Sequence, residues 1–278
     1  VTRQAWWREL SDDDRRIYLT GDPERIGALD GLPAADRDRA NQLVLRNFIG
    51  DNVNHSEQDN PQHATALMLL NKLEGAESNP QHKRLYLLSV DPGGDGKAAV
   101  SIGNPDAAAH TAVLVPGVGT ELDDIGGLIR RADRLQEAAF ELERDKSDIA
   151  VVAWLGYDTP SLDTDIPSAV FGGKSEAGAK ALDGFVNGLR AAHDGTASHV
   201  TAIGHILEAS GETKTPGWRY DGVRASGYKV VSNQGRGWAK HRFILGVGGW
   251  DVNHPEHCLR GKGTASGTVS ADRVCSVL

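Results

Sequence analysis

From residue 85 onward the apolar positions come in short, nearly unbroken runs, whereas before it they recur mainly at helical spacing. Residues 85–90, 98–102 and 111–115 have strand length and are separated by Asp91-Pro-Gly-Gly-Asp-Gly96 and Gly103-Asn-Pro-Asp106, both strong turn signals. Links this short predict an antiparallel hairpin for the first two. Residues 122–143 then carry Ile125, Leu128, Ile129, Ala132, Leu135, Ala139 and Leu142 at helix spacing. An apolar run over 149–154, an amphipathic helix over 177–192 and a further strand over 200–204 follow. Strand, helix, strand, helix, strand across 111–205 predicts an α/β fold, a mostly parallel sheet with flanking helices on both faces.

The first 78 residues read as a helical N-terminal segment. The acidic cap Ser11-Asp-Asp-Asp14 opens a helix through Leu19, and Gly21-Asp22-Pro23 stops it. Pro33 starts another, with Leu43, Leu45 and Phe48 among its apolar positions. Residues 51–62 are polar and loop-like, and 64–73 predict a third helix, apolar almost all round and therefore buried. A cap or brace over 1–78 and a main domain over 79–278 are expected, with Trp6 and Trp7 as a packing anchor.

Composition narrows the class. The chain has 278 residues, 39% of them apolar, 24% charged and only 11 prolines, which is enough for a large core and argues against global disorder. A net charge of −8 and a pI near 5.7 give no reason to expect nucleic acid as a partner. No apolar run approaches the roughly 20 residues of a membrane span. Cys258 and Cys275 both lie near the end and are expected as reduced thiols. The chain begins Val1-Thr-Arg-Gln-Ala-Trp-Trp7, with no apolar signal core, so a cytoplasmic address is favoured, and with Val rather than Met first an excised portion of a longer protein is the expectation. Residues 206–278 carry ten Lys plus Arg against six Asp plus Glu, while residues 1–205 carry twenty against thirty-two. The tail is basic and the body acidic.

Three features converge on acyl-transfer chemistry. Val115-Pro-Gly-Val-Gly-Thr120 leaves the third strand for the long helix, and backbone N–H groups around Gly117, Val118 and Gly119 form a candidate oxyanion hole. Tyr157 and Asp158, at the exit of the next strand, border a candidate pocket. Gly204-His205 ends the run over 200–204, where a nucleophile turn belongs. Gly93-Gly-Asp-Gly-Lys97 lacks the first Gly and the final Ser or Thr of a phosphate loop, and Val115-Pro-Gly-Val-Gly119 lacks the third Gly of a dinucleotide fingerprint. The spacing of Asp251, His254, His257 and Cys258 fits no standard zinc pattern. No cofactor and no metal are called for.

Trp6-Trp7 with Ile26-Gly-Ala-Leu-Asp-Gly-Leu-Pro-Ala-Ala-Asp-Arg-Asp-Arg-Ala-Asn41, Val115-Pro-Gly-Val-Gly119, Ala153-Trp-Leu-Gly-Tyr-Asp158, Gly188-Leu-Arg-Ala-Ala-His193 and Thr201-Ala-Ile-Gly-His205 together resemble an actinobacterial α/β-hydrolase family catalogued as a domain of unknown function. The likeness runs through residues 1–205. It implies a serine hydrolase acting on an ester, thioester or amide, with the serine directly after Gly-His and an acid and a histidine later in the chain. Here that position is Ile206, which has no nucleophilic atom. Ser210, Asp251, His254 and His257 are the replacement candidates in the tail. The abrupt loss of likeness and the charge reversal at one residue are the pattern of a frameshift, splice or chimeric junction. The expected function is an impaired hydrolase with a small acyl substrate, and the alternative is a non-catalytic hydrolase-fold protein that binds a ligand or partner.

Overall fold

The computed structural model describes residues 2–52, 61–117, 119–141, 146–157, 173–195, 198–207 and 226–233. Five helices come first: α1 (Arg3–Glu9), α2 (Asp12–Gly21), α3 (Pro23–Ala28), α4 (Ala34–Asp51) and α5 (Pro61–Gly75). Ser11 caps α2 as expected, its hydroxyl accepting from the Asp14 N–H at 3.1 Å. Trp6 and Trp7 lie on α1, a helix the apolar pattern did not single out. Trp7 is fully buried against Leu19, Ile26, Leu32 and Ala40, and its indole N–H donates to Asp36 at 2.6 Å.

Among the described residues six strands follow: β1 (Leu85–Asp91), β2 (Lys97–Ile102), β3 (His110–Val115), β4 (Ile149–Leu155), β5 (His199–Leu207) and β6 (Ser226–Asn233). They form one sheet in the order β1-β2-β4-β3-β5-β6. Strands β1, β3, β4 and β5 run one way, while β2 and β6 are antiparallel to their neighbours. The β1–β2 hairpin, the parallel β3–β4 and β3–β5 pairs and the helices between them match the expected sheet. Helices α6 (Ile125–Phe140) and α7 (Gly173–Ala192) cover its two faces. Alternation along the strands sorts the core accordingly. Ala112, Leu114, Val151, Ala153 and Ile203 join α5 and α6, while Val113, Val152, Trp154 and Val200 join Phe185, Val186 and Leu189 of α7.

Two boundaries differ from the apolar pattern. The long helix opens with a 3-10 turn, Leu122–Asp124, because Glu121 and Asp124 cap each other's backbone N–H groups before the α-helix begins. Strand β5 does not stop at Gly204 but continues to Leu207, since Gly204 to Leu207 pair with Lys229 to Ser226 of β6.

Buried polar groups tie the helical segment to the sheet. On the free edge of β1, at a bulge between Leu87 and Ser89, the Leu87 N–H donates to Asp38 at 2.9 Å and the Leu87 carbonyl accepts from the Asn41 amide at 2.9 Å. Helix α4 thus covers an edge strand that would otherwise be open to pairing. A second tie is Asp106, which accepts from the Ala34 N–H at the start of α4 at 2.6 Å.

Burial pushes the Asp106 carboxyl up to about 6 from 3.8, the Ala34 N–H and Arg37 pulling it down while Asp194 and Asp36 push the same way as burial. Because the folded value lies above the unfolded one, the ionised form weakens the fold above about pH 6. Stability therefore rises as pH falls from there toward 3.8. Asp106→Asn keeps an acceptor for Ala34 and removes the ionisation. It is expected to exceed the parent in unfolding free energy by on the order of 2 kcal/mol at neutral pH, the difference closing near pH 4. Urea denaturation of both proteins across that range checks it, and a pH-independent difference would contradict it.

Candidate functional site

The candidate residues gather where β3, β4 and β5 reach the same edge of the sheet. Strand register brings them there: Leu114 stands opposite Ala153 on one side and Ile203 on the other, and Val115 stands opposite Gly204. The segment that leaves β3 at Pro116 therefore begins beside the last third of β5. This is the carboxyl end of the parallel strands, where open α/β sheets place their ligands.

The loop after β3 is shaped by its glycines. Gly119 has φ +74°, a left-handed conformation that a side chain would strain. The Thr120 hydroxyl donates to the Gly117 carbonyl at 3.0 Å and closes the turn. Beyond it, the Leu122 N–H donates to the Asp95 carbonyl at 3.1 Å, which fixes the β1–β2 hairpin loop to the start of the long helix. Gly96, with φ +72°, packs so closely there that a Cβ would lie 2.5 Å from that of Leu122. The first turn leading into α6 carries Asp123 and Asp124, which face the positive end of the helix.

Tyr157 closes the site from the β4 side. Its hydroxyl donates to the Pro116 carbonyl at 3.4 Å, and its ring stacks on Trp154 at 5.8 Å with 16° between planes. Behind the stack, Phe185 of α7 meets Trp154 at 6.1 Å. Gly178 of α7 leaves room for the tyrosine, since a Cβ there would sit 2.7 Å from its ring. Burial pushes the Tyr157 hydroxyl above its ordinary value, so it remains protonated and a donor at neutral pH. Gly178 was not legible in the sequence as a neighbour of this candidate site, and Thr120 and Trp154 were legible only as parts of longer motifs. The only signal for Gly178 was a glycine inside an amphipathic helix.

Gly204 and His205 lie within β5, and Ile206 is paired with Gly227 of β6. The Gly204-His205 step is therefore extended backbone rather than a sharp turn. Val118, Asp158, Ser210, Asp251, His254 and His257 lie outside the described residues, as do Cys258 and Cys275. Among the described residues no three His, Cys, Asp or Glu side chains group as a metal site, and no helix is long and apolar enough to cross a membrane.

Comparison with known proteins bears on the same stretch. Residues 91–208 match a family described as alpha/beta hydrolase. The uncharacterized protein Rv2079 of Mycobacterium tuberculosis is 32% identical over 230 residues, covering 72% of this chain and 34% of that protein. The uncharacterized protein Mb0988c of Mycobacterium bovis is 28% identical over 133 residues, covering 45% of this chain and 49% of that protein. The chain spans about a third of the length of the first of these and about half of the second. No solved structure matches significantly. The family match ends two residues after Ile206.

Proposed function

For a chain whose residues 91–208 match an alpha/beta hydrolase family, we propose a serine-hydrolase type of protein, directed at an ester, thioester or amide, whose catalysis is impaired because Ile206 stands where the nucleophile belongs. In the intact mechanism a serine attacks the acyl carbon, a histidine takes its proton, and an acid orients the histidine. The N–H groups around Gly117, Val118 and Gly119 hold the oxyanion, and Tyr157 with Asp158 borders the acyl pocket. Residues 1–78 serve as a brace that holds the edge of the sheet.

The observation that carries this reading is the extended pairing of Ile206 with Gly227. A nucleophile elbow needs a strand that ends in a sharp turn and gives way to a helix. The pairing of β5 with β6 keeps Gly204 to Leu207 extended and so supplies no sharp turn after Gly204-His205. The same pairing favours a second reading, a hydrolase-fold protein that binds a ligand or partner without turning it over.

Losing the serine of such a triad costs about a millionfold in turnover. The expected result of treating the folded protein with a broad fluorophosphonate is therefore no stoichiometric adduct by intact mass. An adduct mapped to Ser210, or to another serine of the tail, would replace this reading with that of a rebuilt hydrolase, in which Asp251, His254 and His257 become the partners to mutate. Absent an adduct, saturable binding of an acyl ester that is not hydrolysed would favour the second reading over an impaired enzyme.

A further inference from the structure

At the opposite end of the same strands, His110 opens β3 and His199 opens β5, and the two are direct partners in the parallel register. Their rings stand 5.9 Å apart, centroid to centroid, at 69°. Each carries a buried ring nitrogen with no hydrogen-bond partner, Nδ1 of His110 and Nε2 of His199. Unpaired buried polar atoms are uncommon in a folded protein and call for an account. Here two of them belong to adjacent imidazoles at the rim of one groove on the α6 side of the sheet, bounded by Leu135, Ala139, Ile149 and Val151.

We propose that His110 and His199 form a two-histidine site for a divalent transition-metal cation of the copper, nickel or zinc kind. Imidazole is the ligand type these cations share, and copper(II) is expected to bind most tightly of the three. The spacing fits. Metal–nitrogen bonds of about 2.0–2.1 Å set the centroids of two imidazoles on one ion roughly 5–6 Å apart. The strand register holds both Cα atoms in place, so only ring rotations are needed to aim the lone pairs at a common point. No third His, Cys, Asp or Glu joins the pair among the described residues, so water or an exogenous donor completes the shell and leaves positions open. The apolar wall of α6 keeps one side of the ion dry. The site is separate from the Gly117–Tyr157 end of the sheet and does not depend on the hydrolase reading.

Titration of the full chain with Cu2+, followed by electron paramagnetic resonance and calorimetry, tests it. The expected result is one site per chain with two equatorial nitrogens. His110→Gln and His199→Gln should each leave one nitrogen and weaken binding at least tenfold, while the paired replacement of His254 and His257 by Gln leaves binding unchanged. Histidine modification of the parent protein by diethyl pyrocarbonate gives a readout that needs no variant: Cu2+ should protect the peptides bearing His110 and His199. Unchanged affinity and nitrogen count in both single variants, loss of the site in the tail variant, or equal labelling with and without Cu2+ would each overturn the proposal.

Discussion

Replacing Gln136 with leucine is expected to lower the unfolding free energy by about 2–4 kcal/mol. Gln136 lies on the buried face of α6, fully enclosed, and the two N–H groups of its amide are shared among three backbone carbonyls: His82 at 2.8 Å, Ile102 at 3.1 Å and Ile149 at 3.2 Å. These belong to the turn before β1, the end of β2 and the start of β4, so one side chain gathers three separate stretches of chain. The chain is packed tightly around it. Gly103, at φ +82°, has the Gln136 amide 3.3 Å and the Ile149 carbonyl 3.0 Å from where a Cβ would be. Leucine fills a similar volume but takes both donors away from these carbonyls, a loss of about 1–3 kcal/mol for each bond not replaced, and is offset in part because it also removes the Gln136 Oε1, which is buried without a partner. Urea unfolding followed by circular dichroism measures the change. A loss below about 1 kcal/mol would mean that the carbonyls find other donors.

Asn41→Ala is expected to cost about 2–4 kcal/mol and to make the protein prone to association. The Asn41 amide bridges the Leu87 carbonyl on the edge of β1 and the Gly27 carbonyl at 3.3 Å. Its side chain fills the space that a Cβ on Gly27 would need, which locks α3 and α4 against each other and against β1. Alanine removes the donor and leaves a cavity beside it. Asp38 next to it would still accept from the Leu87 N–H. The loss should therefore be partial, and the exposed carbonyl should favour edge-to-edge pairing of chains. Denaturant unfolding gives the stability and light scattering near the midpoint gives the association. An Asn41→Ala protein as stable and as monodisperse as its parent would show that α4 covers the edge without this bond.

Much of the architecture was legible because it rests on local periodicity. Short unbroken apolar runs and helix-spaced apolar residues placed the strands β1 to β4 and the helices α4 to α7 within a few residues of their observed bounds, and Ser11 and Pro33 marked helix starts by side-chain chemistry that acts within one turn. The glycine-rich exit of β3 and the Gly-Tyr exit of β4 were legible as a candidate site for the same reason. They are punctuation at the ends of recognisable strands. Ile206 at the expected nucleophile position also needed nothing but the sequence.

What the tertiary structure decided were the relations between distant residues. A polar residue in an apolar stripe is, in sequence, a blemish in the pattern; only packing shows that Gln136 meets carbonyls 54, 34 and 13 residues away. Asn41 and Asp38 read as the polar face of a helix until the edge of β1 arrives beside them. The extension of β5 through Leu207 follows from its pairing with β6, whose hydrogen bonds keep the backbone extended where the local Gly-His signal pointed to a turn. The approach of His110 to His199 likewise comes from parallel register across 89 residues of chain. Periodicity along the chain determines which elements form and which face each one buries. Register, edge coverage and the partners of buried polar groups depend on contacts between segments far apart in sequence, and no local pattern encodes those.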